Sequence, residues 1–408
     1  MKKSTLKSYA HLIAKVGANI QKGQEVQVVA NVDQEDLVNY IVEDCYKLGA
    51  KKVDVRWLSD KVSKTIYKKE SYKSLIEVPD WQIEKQKHIV KVNPAMIYIE
   101  SSDPDALKGV NQEKVAKVRM ATYPIFKPFR DQRENKYQWT IAGAASKEWA
   151  KKVFPNLPTK KAVNALWDAI LKTSRCDEDP IKAWERHNSD LEKRTKYLNS
   201  LNLDYLHYTS SNGTNFKVWL LPNALWLAGG ERTLGSNIFF NPNIPTEEAF
   251  TSPEKGKAEG IVYSTKPLSY QGELIEDFSV RFENGKAVEV HAKKGEELLK
   301  KMINMDKDAG YLGECALVPY DSPINNTGIL FFNTLYDENA ACHLALGHGF
   351  TNCIKDYEKY TQDELIKMGI NDSSIHVDFM IGSKDLDIVG YTRDGKKVQI
   401  FKNGNWAF

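Results

Sequence analysis

The segment between Val26 and Val55 constrains the fold of this chain more than any other. Residues 26–30 form an apolar run interrupted only by Gln27, and read as a strand. Asp33 stands where a helix cap belongs. Leu37, Val38, Ile41, Val42, Cys45 and Leu48 then recur at helical spacing until Gly49. Val53-Asp54-Val55 opens a second strand. Loops this short leave a crossover helix between two strands that point the same way, so the chain starts as a parallel α/β layer. The alternation continues. Leu6, Tyr9, Ile13 and Val16 mark one face of an opening helix stopped by Gly17. Strands are expected at 95–100 and 137–142, and helices around 146–153, 160–173 and 180–198.

This pattern predicts a Rossmann-like layered domain over residues 1–200. No G-x-G-x-x-G follows its first strand, where Asn31-Val32-Asp33-Gln34-Glu35-Asp36 stands instead, which argues against a dinucleotide site. The remainder changes character. Segments 204–209 and 216–221 read as strands joined through Ser211-Asn212-Gly213. Those at 278–282 and 288–291 flank Asn284-Gly285, and those at 389–391 and 398–401 flank Asp394-Gly395, both hairpin signals. Residues 201–408 are expected to form a mixed α+β metal-binding domain, and 408 residues exceed one ordinary core. The fold class is α/β overall, and by itself it says nothing of function.

Composition excludes several classes of function. Lys plus Arg number 57 and Asp plus Glu 54, a net of +3 without a long block of one sign, which argues against nucleic acid as a partner. The cysteines, at 45, 176, 315, 342 and 353, are odd in number and form no C-x-x-C pair, as suits a reducing compartment without a disulfide framework. The basic N-terminus lacks the apolar core of a signal peptide, and no run approaches the ~20 apolar residues of a membrane span. A soluble, cytoplasmic protein is expected, with no membrane partner.

Chemistry concentrates after residue 240. In an extended segment His376 and Asp378 point to one face, while Val377, Phe379 and Ile381 point to the other, toward a core. Glu314 follows Gly313 and opens the apolar run Cys315-Ala316-Leu317-Val318, where an unpaired charge is costly and a metal would neutralise it. Glu338 and His343 are five residues apart, about 140° of helix rotation, so one regular helix would not aim both at one ion. Glu338 is therefore expected on a loop before a helix at 340–346. Of the adjacent Glu247 and Glu248, only one should face a given metal. Each group also has an ordinary structural reading. His376 and Asp378 suit a solvated strand edge, Glu314 an ion pair, and Glu247–Glu248 a helix start capped by Thr246. Cys342 is a rival ligand beside His343. His348 reads as a loop residue, and His11, His88, His187, His207 and His291 as surface or core histidines.

Four carboxylates and two imidazoles exceed the needs of one tetrahedral zinc. They suit two ions sharing a carboxylate, with Zn, Co or Mn preferred over softer metals. Four segments carry a specific resemblance: Asn-Ile-Pro-Thr-Glu-Glu-Ala-Phe-Thr-Ser-Pro (243–253), Gly-Glu-Cys-Ala-Leu-Val (313–318), Glu-Asn-Ala-Ala-Cys-His-Leu-Ala-Leu-Gly (338–347) and His-Val-Asp-Phe-Met-Ile-Gly (376–382). Together they resemble the aminopeptidase S/T family of bacterial metalloaminopeptidases, with separations of 66, 24, 5, 33 and 2 residues from Glu248 through Glu314, Glu338, His343 and His376 to Asp378. The resemblance implies broad-specificity removal of N-terminal residues from peptides with a free N-terminus. It also implies two divalent metal ions (Zn, Co, Mn or Mg) and a homodimer. The implied ligands are Glu248, Glu314, Glu338, His343, His376 and Asp378, with Glu314 as the bridge.

Members often carry a tyrosine where this chain has Phe350, so either that phenol is dispensable, another donor such as Tyr336 or His348 replaces it, or activity is reduced. Glu247, anchored beside the metals by its neighbour, is the candidate proton carrier. Two other readings remain open: a two-metal esterase or amidase, and a metal-stabilised binding protein.

Overall fold

The structure is a computed structural model describing residues 2–408, a mixed α/β fold. Its chain divides into two compact units. One holds the residues up to Arg186 and returns for Gly230–Pro245; the other holds His187–Gly229 and Thr246–Phe408. Where a single boundary at residue 200 was expected, the first crossing falls inside the helix Pro180–Ser200.

The first unit is built on a five-stranded sheet in the order Asn243–Ile244, Trp139–Gly143, Ala95–Glu100, Glu25–Asn31, Lys52–Leu58. Every neighbouring pair is parallel. The chain winds outward on both sides of Glu25–Asn31, whose nearly continuous burial explains its unbroken apolar run. Between this strand and the helix Glu35–Lys47 lies a short 3-10 turn, Val32–Gln34. Gln34 holds the cap position and Asp33 sits in the turn, a correction to the expected Asp33 cap. Gly17 ends the first helix because the chain must approach a neighbour closely. A Cβ there would lie 2.7 Å from Thr140 Oγ1.

Four helices of this unit escaped the periodicity: Asp60–Lys69, Tyr72–Ile76, Asp80–Val92 and Gln112–Arg133. The last contains Pro124 and Pro128, each lacking an N–H to donate, and its only buried residue is Val118. A helix with two prolines and so small a buried face leaves little 3.6-residue signal.

The second unit contains a long antiparallel sheet in which all three expected hairpins close. Leu203–Thr209 pairs with Asn215–Leu220, Glu273–Glu283 with Lys286–Lys294, and Asp387–Thr392 with Lys397–Lys402. Asn284 (φ 49°) and Gly285 (φ 76°) both take the left-handed conformation that a two-residue turn requires.

A second antiparallel sheet runs in the order His376–Met380, His343–Gly347, Leu312–Leu317, Ala249–Thr251, Leu227–Ala228. Its Cys315, Leu317, Leu344, Leu346, Val377 and Phe379 join Phe216, Val218, Phe278 and Val280 of the long sheet in one core. The helix expected at 340–346 is absent. The helix is Thr334–Glu338, and residues 343–347 form a strand. That strand is buried along its whole length between two partners, so its apolar run lacks the alternation that marks a half-buried strand and cannot be told from a buried helix by pattern.

Phe379 anchors the core face of the strand that carries His376 and Asp378. Phe379→Ala is expected to lower unfolding stability by about 3–5 kcal/mol, read from the denaturation midpoint of the full chain.

Candidate metal centre

Strand register alone places four of the functional side chains on one face. Glu314 pairs with Ala345, and Ala345 with Asp378, giving a row across three strands. His343 lies two residues from Ala345 and opposite Ala316, and His376 lies two residues from Asp378. Side chains two apart share a face, so Glu314, His343, His376 and Asp378 all leave the sheet together. The residues between them, Ala316 and Ala345, are small and leave room above the sheet. Glu248 enters from the neighbouring edge, immediately before Ala249–Thr251.

The distances are those of a shared cluster. His343 Nε2 lies 3.2 Å from Glu248 Oε2 and 4.0 Å from Glu314 Oε1. His376 Nε2 lies 3.2 Å from Glu314 Oε2 and 3.3 Å from Asp378 Oδ1. The two oxygens of Glu314 thus face different histidines. Two trios of donor atoms, Glu248–Glu314–His343 and Glu314–His376–Asp378, each fall within 4.8 Å, and Glu314 belongs to both.

Each imidazole is held by its other nitrogen. His376 Nδ1 bonds the His348 carbonyl at 2.7 Å, and His343 Nδ1 bonds the Ala341 carbonyl at 3.1 Å. A carbonyl only accepts, so Nδ1 donates in both rings and Nε2 is turned to the carboxylates, where it donates when protonated and is placed to ligate a metal when it is not. This backbone anchoring is the arrangement found behind metal-binding histidines. Gly313 permits it. A Cβ at that position would lie 2.1 Å from the His348 oxygen that receives His376.

The electrostatics fit a cation. Burial first, then the charges of Glu248 and Asp378, push the Glu314 carboxyl up to about 7, against the lowering pull of its hydrogen bond to His376. Burial alone would lower His343, but the Glu248 hydrogen bond and the surrounding carboxylates outweigh it and raise the ring to about 10. Burial also pushes Asp378 up, yet His376 and a hydrogen bond from Glu338 bring it below its ordinary value. So many buried acids near one another require protons or cations between them. The oxygen and imidazole donors suit a borderline divalent metal.

Glu338 ends the helix Thr334–Glu338 and lies outside both donor trios. Its carboxyl is pushed far up by burial and then by Asp378 and Glu248. Asn339, which the sequence reading passed over, is fully buried and joins two candidates. Its Oδ1 accepts the Glu247 backbone N–H at 2.8 Å, and its Nδ2 donates to Glu338 Oε1 at 3.3 Å. Only its place directly after Glu338 could have signalled this.

The Glu247 side chain is buried, with Oε2 3.9 Å from His187 Nε2. His187 therefore has carboxylate company after all, hidden by a separation of 60 positions in the chain. Cys342 turns away from the site: its thiol donates to the Val318 carbonyl within the core and is pushed up to about 12 by burial. The Phe350 ring lies 5.0 Å from the His376 ring. Tyr336 is fully buried and stacked on Phe331, and the His348 ring faces Asp372 at 3.4 Å.

Two donor trios that share one carboxylate make this cluster of an α/β chain a candidate divalent-metal site, as in metal-dependent enzymes. The chain belongs to the family described as thermophilic metalloprotease (M29), which it matches over residues 2–406. It is 44% identical over 405 residues to Aminopeptidase AmpS of Bacillus subtilis (99% of this chain, 98% of that protein), and 40% identical over 408 residues to Aminopeptidase PepS of Streptococcus thermophilus (99% and 98%). The solved structure of wild-type AmpT from Thermus thermophilus superposes with a TM-score of 0.90 at 38% identity, covering 100% of both chains.

Two outcomes follow from this geometry. Ala345→Val places methyl groups between Glu314 and Asp378 and is expected to weaken divalent-metal affinity about tenfold or more, measured by competition with a chromogenic chelator. In chelator-treated protein, Glu314 and His343 both have folded values above their ordinary 4.5 and 6.5. Such groups add stability that is full at low pH and is lost as pH rises through the folded value. The melting temperature of the metal-free chain should therefore fall between about pH 4.5 and pH 10. The stabilisation produced by added metal should grow over the same range. A melting temperature of the metal-free protein that rises steadily with pH would contradict this assignment.

Proposed function

We propose that the protein is a metal-dependent aminopeptidase of broad specificity that acts through two divalent ions. The observation that carries this reading is the division of the Glu314 carboxylate between two anchored histidines. Glu248, Glu314 and His343 would hold one ion, and Glu314, His376 and Asp378 the other, with Glu338 completing the shell next to Asp378. Zn, Co, Mn or Mg all accept such donors. When bound, such ions supply Lewis acidity and lower the pKa of a coordinated water toward neutrality.

The chain's own residues do the rest. The backbone carbonyls of Ala341 and His348 fix the ring tautomers and keep both Nε2 atoms aimed inward. Buried walls around Glu314 exclude solvent, while His376, with a quarter of its side chain exposed, marks the side from which a peptide enters. The free ammonium of the substrate is neutralised by the carboxylate-rich cluster, which restricts cleavage to the first peptide bond. Glu247 takes at its carboxylate the proton given up by the attacking water and passes it to the leaving amine, its backbone held by Asn339. We read the N-terminal half as a Rossmann-like layered domain and the active form as a cytoplasmic homodimer, as the family resemblance implies.

A panel of amino-acid p-nitroanilides and N-blocked esters, run with chelator and with metal restored, tests the reading. Cleavage confined to free-amine substrates, abolished by chelator and restored by Co or Zn, is expected. Turnover of N-blocked esters would move the protein to the esterases. Glu247→Gln should lower kcat about 10²–10⁴-fold while metal content stays at the wild-type level; an unchanged kcat would remove Glu247 from the mechanism.

A further inference from the structure

The peptide unit between Thr246 and Glu247 is held at both of its polar ends by side chains. Its carbonyl oxygen lies 2.7 Å from His187 Nε2, and its N–H donates to Asn339 Oδ1 at 2.8 Å. A carbonyl only accepts, so His187 Nε2 carries a hydrogen and donates it. The bond is trans, a rigid plane whose C=O and N–H point opposite ways. With a donor on one side and an acceptor on the other, the plane cannot turn about the line joining its two Cα atoms. The direction in which the Glu247 side chain leaves the backbone is thereby set.

Both pins are themselves fixed. His187 stands on the helix Pro180–Ser200, on the face of Leu191, Thr195 and Leu198, all of them buried. Its own side chain is 11% exposed. Asn339 is fully buried, and its amide also donates to the Leu335 carbonyl at 3.0 Å.

Glu248 has a different support. Ala249, directly after it, is paired on both edges, with Leu317 and with Ala228, so the sheet ladder sets its course. Glu247 precedes that ladder and takes its placement from the two side chains. His187 Nε2 also lies 3.9 Å from Glu247 Oε2. That is longer than a hydrogen bond but close enough for the ring to back the carboxylate. His187 belongs to neither donor trio of the metal centre.

We propose that His187 is a positioning residue for Glu247. It holds the Thr246–Glu247 peptide and backs the carboxylate, so that the group is aimed for proton transfer. The inference rests on the role of proton carrier given to Glu247 above. Displacing a reacting group by about 1 Å can cost on the order of 10²-fold in rate, so the effect belongs in kcat rather than in metal or substrate binding.

Steady-state kinetics of the metal-loaded full chain on leucine p-nitroanilide tests it. His187→Leu, which keeps bulk but lacks a donor, should lower kcat about 10–100-fold and leave KM and bound metal at the wild-type level. His187→Gln, whose amide can donate to the Thr246 carbonyl, should recover most of kcat. Adding His187→Leu to Glu247→Gln should cost no further kcat, because both changes act on one transfer. Should His187→Leu not fold, His187→Asn, too short to reach the carbonyl, takes its place. Equal losses in the Leu (or Asn) and Gln variants, full additivity with Glu247→Gln, or a loss traced to metal content would overturn the proposal. If Glu247→Gln is impaired while His187→Leu is not, the role of His187 alone falls. If Glu247→Gln keeps the wild-type kcat, the role of Glu247 falls and this inference with it.

Discussion

The interaction on which this molecule turns is the burial of like charges across three paired strands. Glu314 and Asp378 stand in one row with Ala345 between them, and the histidines stand one step along the same face. The opposite face is committed to the core through Leu344, Leu346, Val377 and Phe379. A slip of one residue in any of these strands would turn acids into the core and leucines into the site. Hydrophobic burial on one side therefore enforces the electrostatic crowding on the other. That crowding is tolerable only when a cation or a proton lies between the carboxylates.

Direction is added by the backbone. Two carbonyls take the Nδ1 hydrogens of His343 and His376, so the arrangement of nitrogens is settled before any ligand arrives. Gly313 makes one of these contacts possible by leaving space for the His348 carbonyl. Preorganisation of this kind lets a metal site keep its geometry through a catalytic cycle. The Asn339 side chain extends the same principle outward, tying the backbone beside Glu248 to the carboxylate of Glu338.

Much of the architecture was legible because its signals are local. The parallel layer follows from one strand-helix-strand unit with short loops, and the hairpins follow from Asn284-Gly285 and Asp394-Gly395. The candidate ligands could be named from residue type and motif. Other features left no local trace. The strand His343–Gly347 looks like a buried helix because both its faces and both its edges are covered. The helix Gln112–Arg133 carries two prolines that argue against it. Asp33 looks like a cap and sits in a turn instead.

By itself the sequence determined which chemical groups were on hand, the period of each segment and the turns where the chain reverses, since these depend on residues a few positions apart. Tertiary structure alone decided that Cys342 faces the core while His343 faces the acids. It also decided that His187 comes near Glu247 and that Asn339 joins two carboxylate segments. Those outcomes rest on strand register and on contacts between residues far apart in the chain, where a shift of one position changes every neighbour.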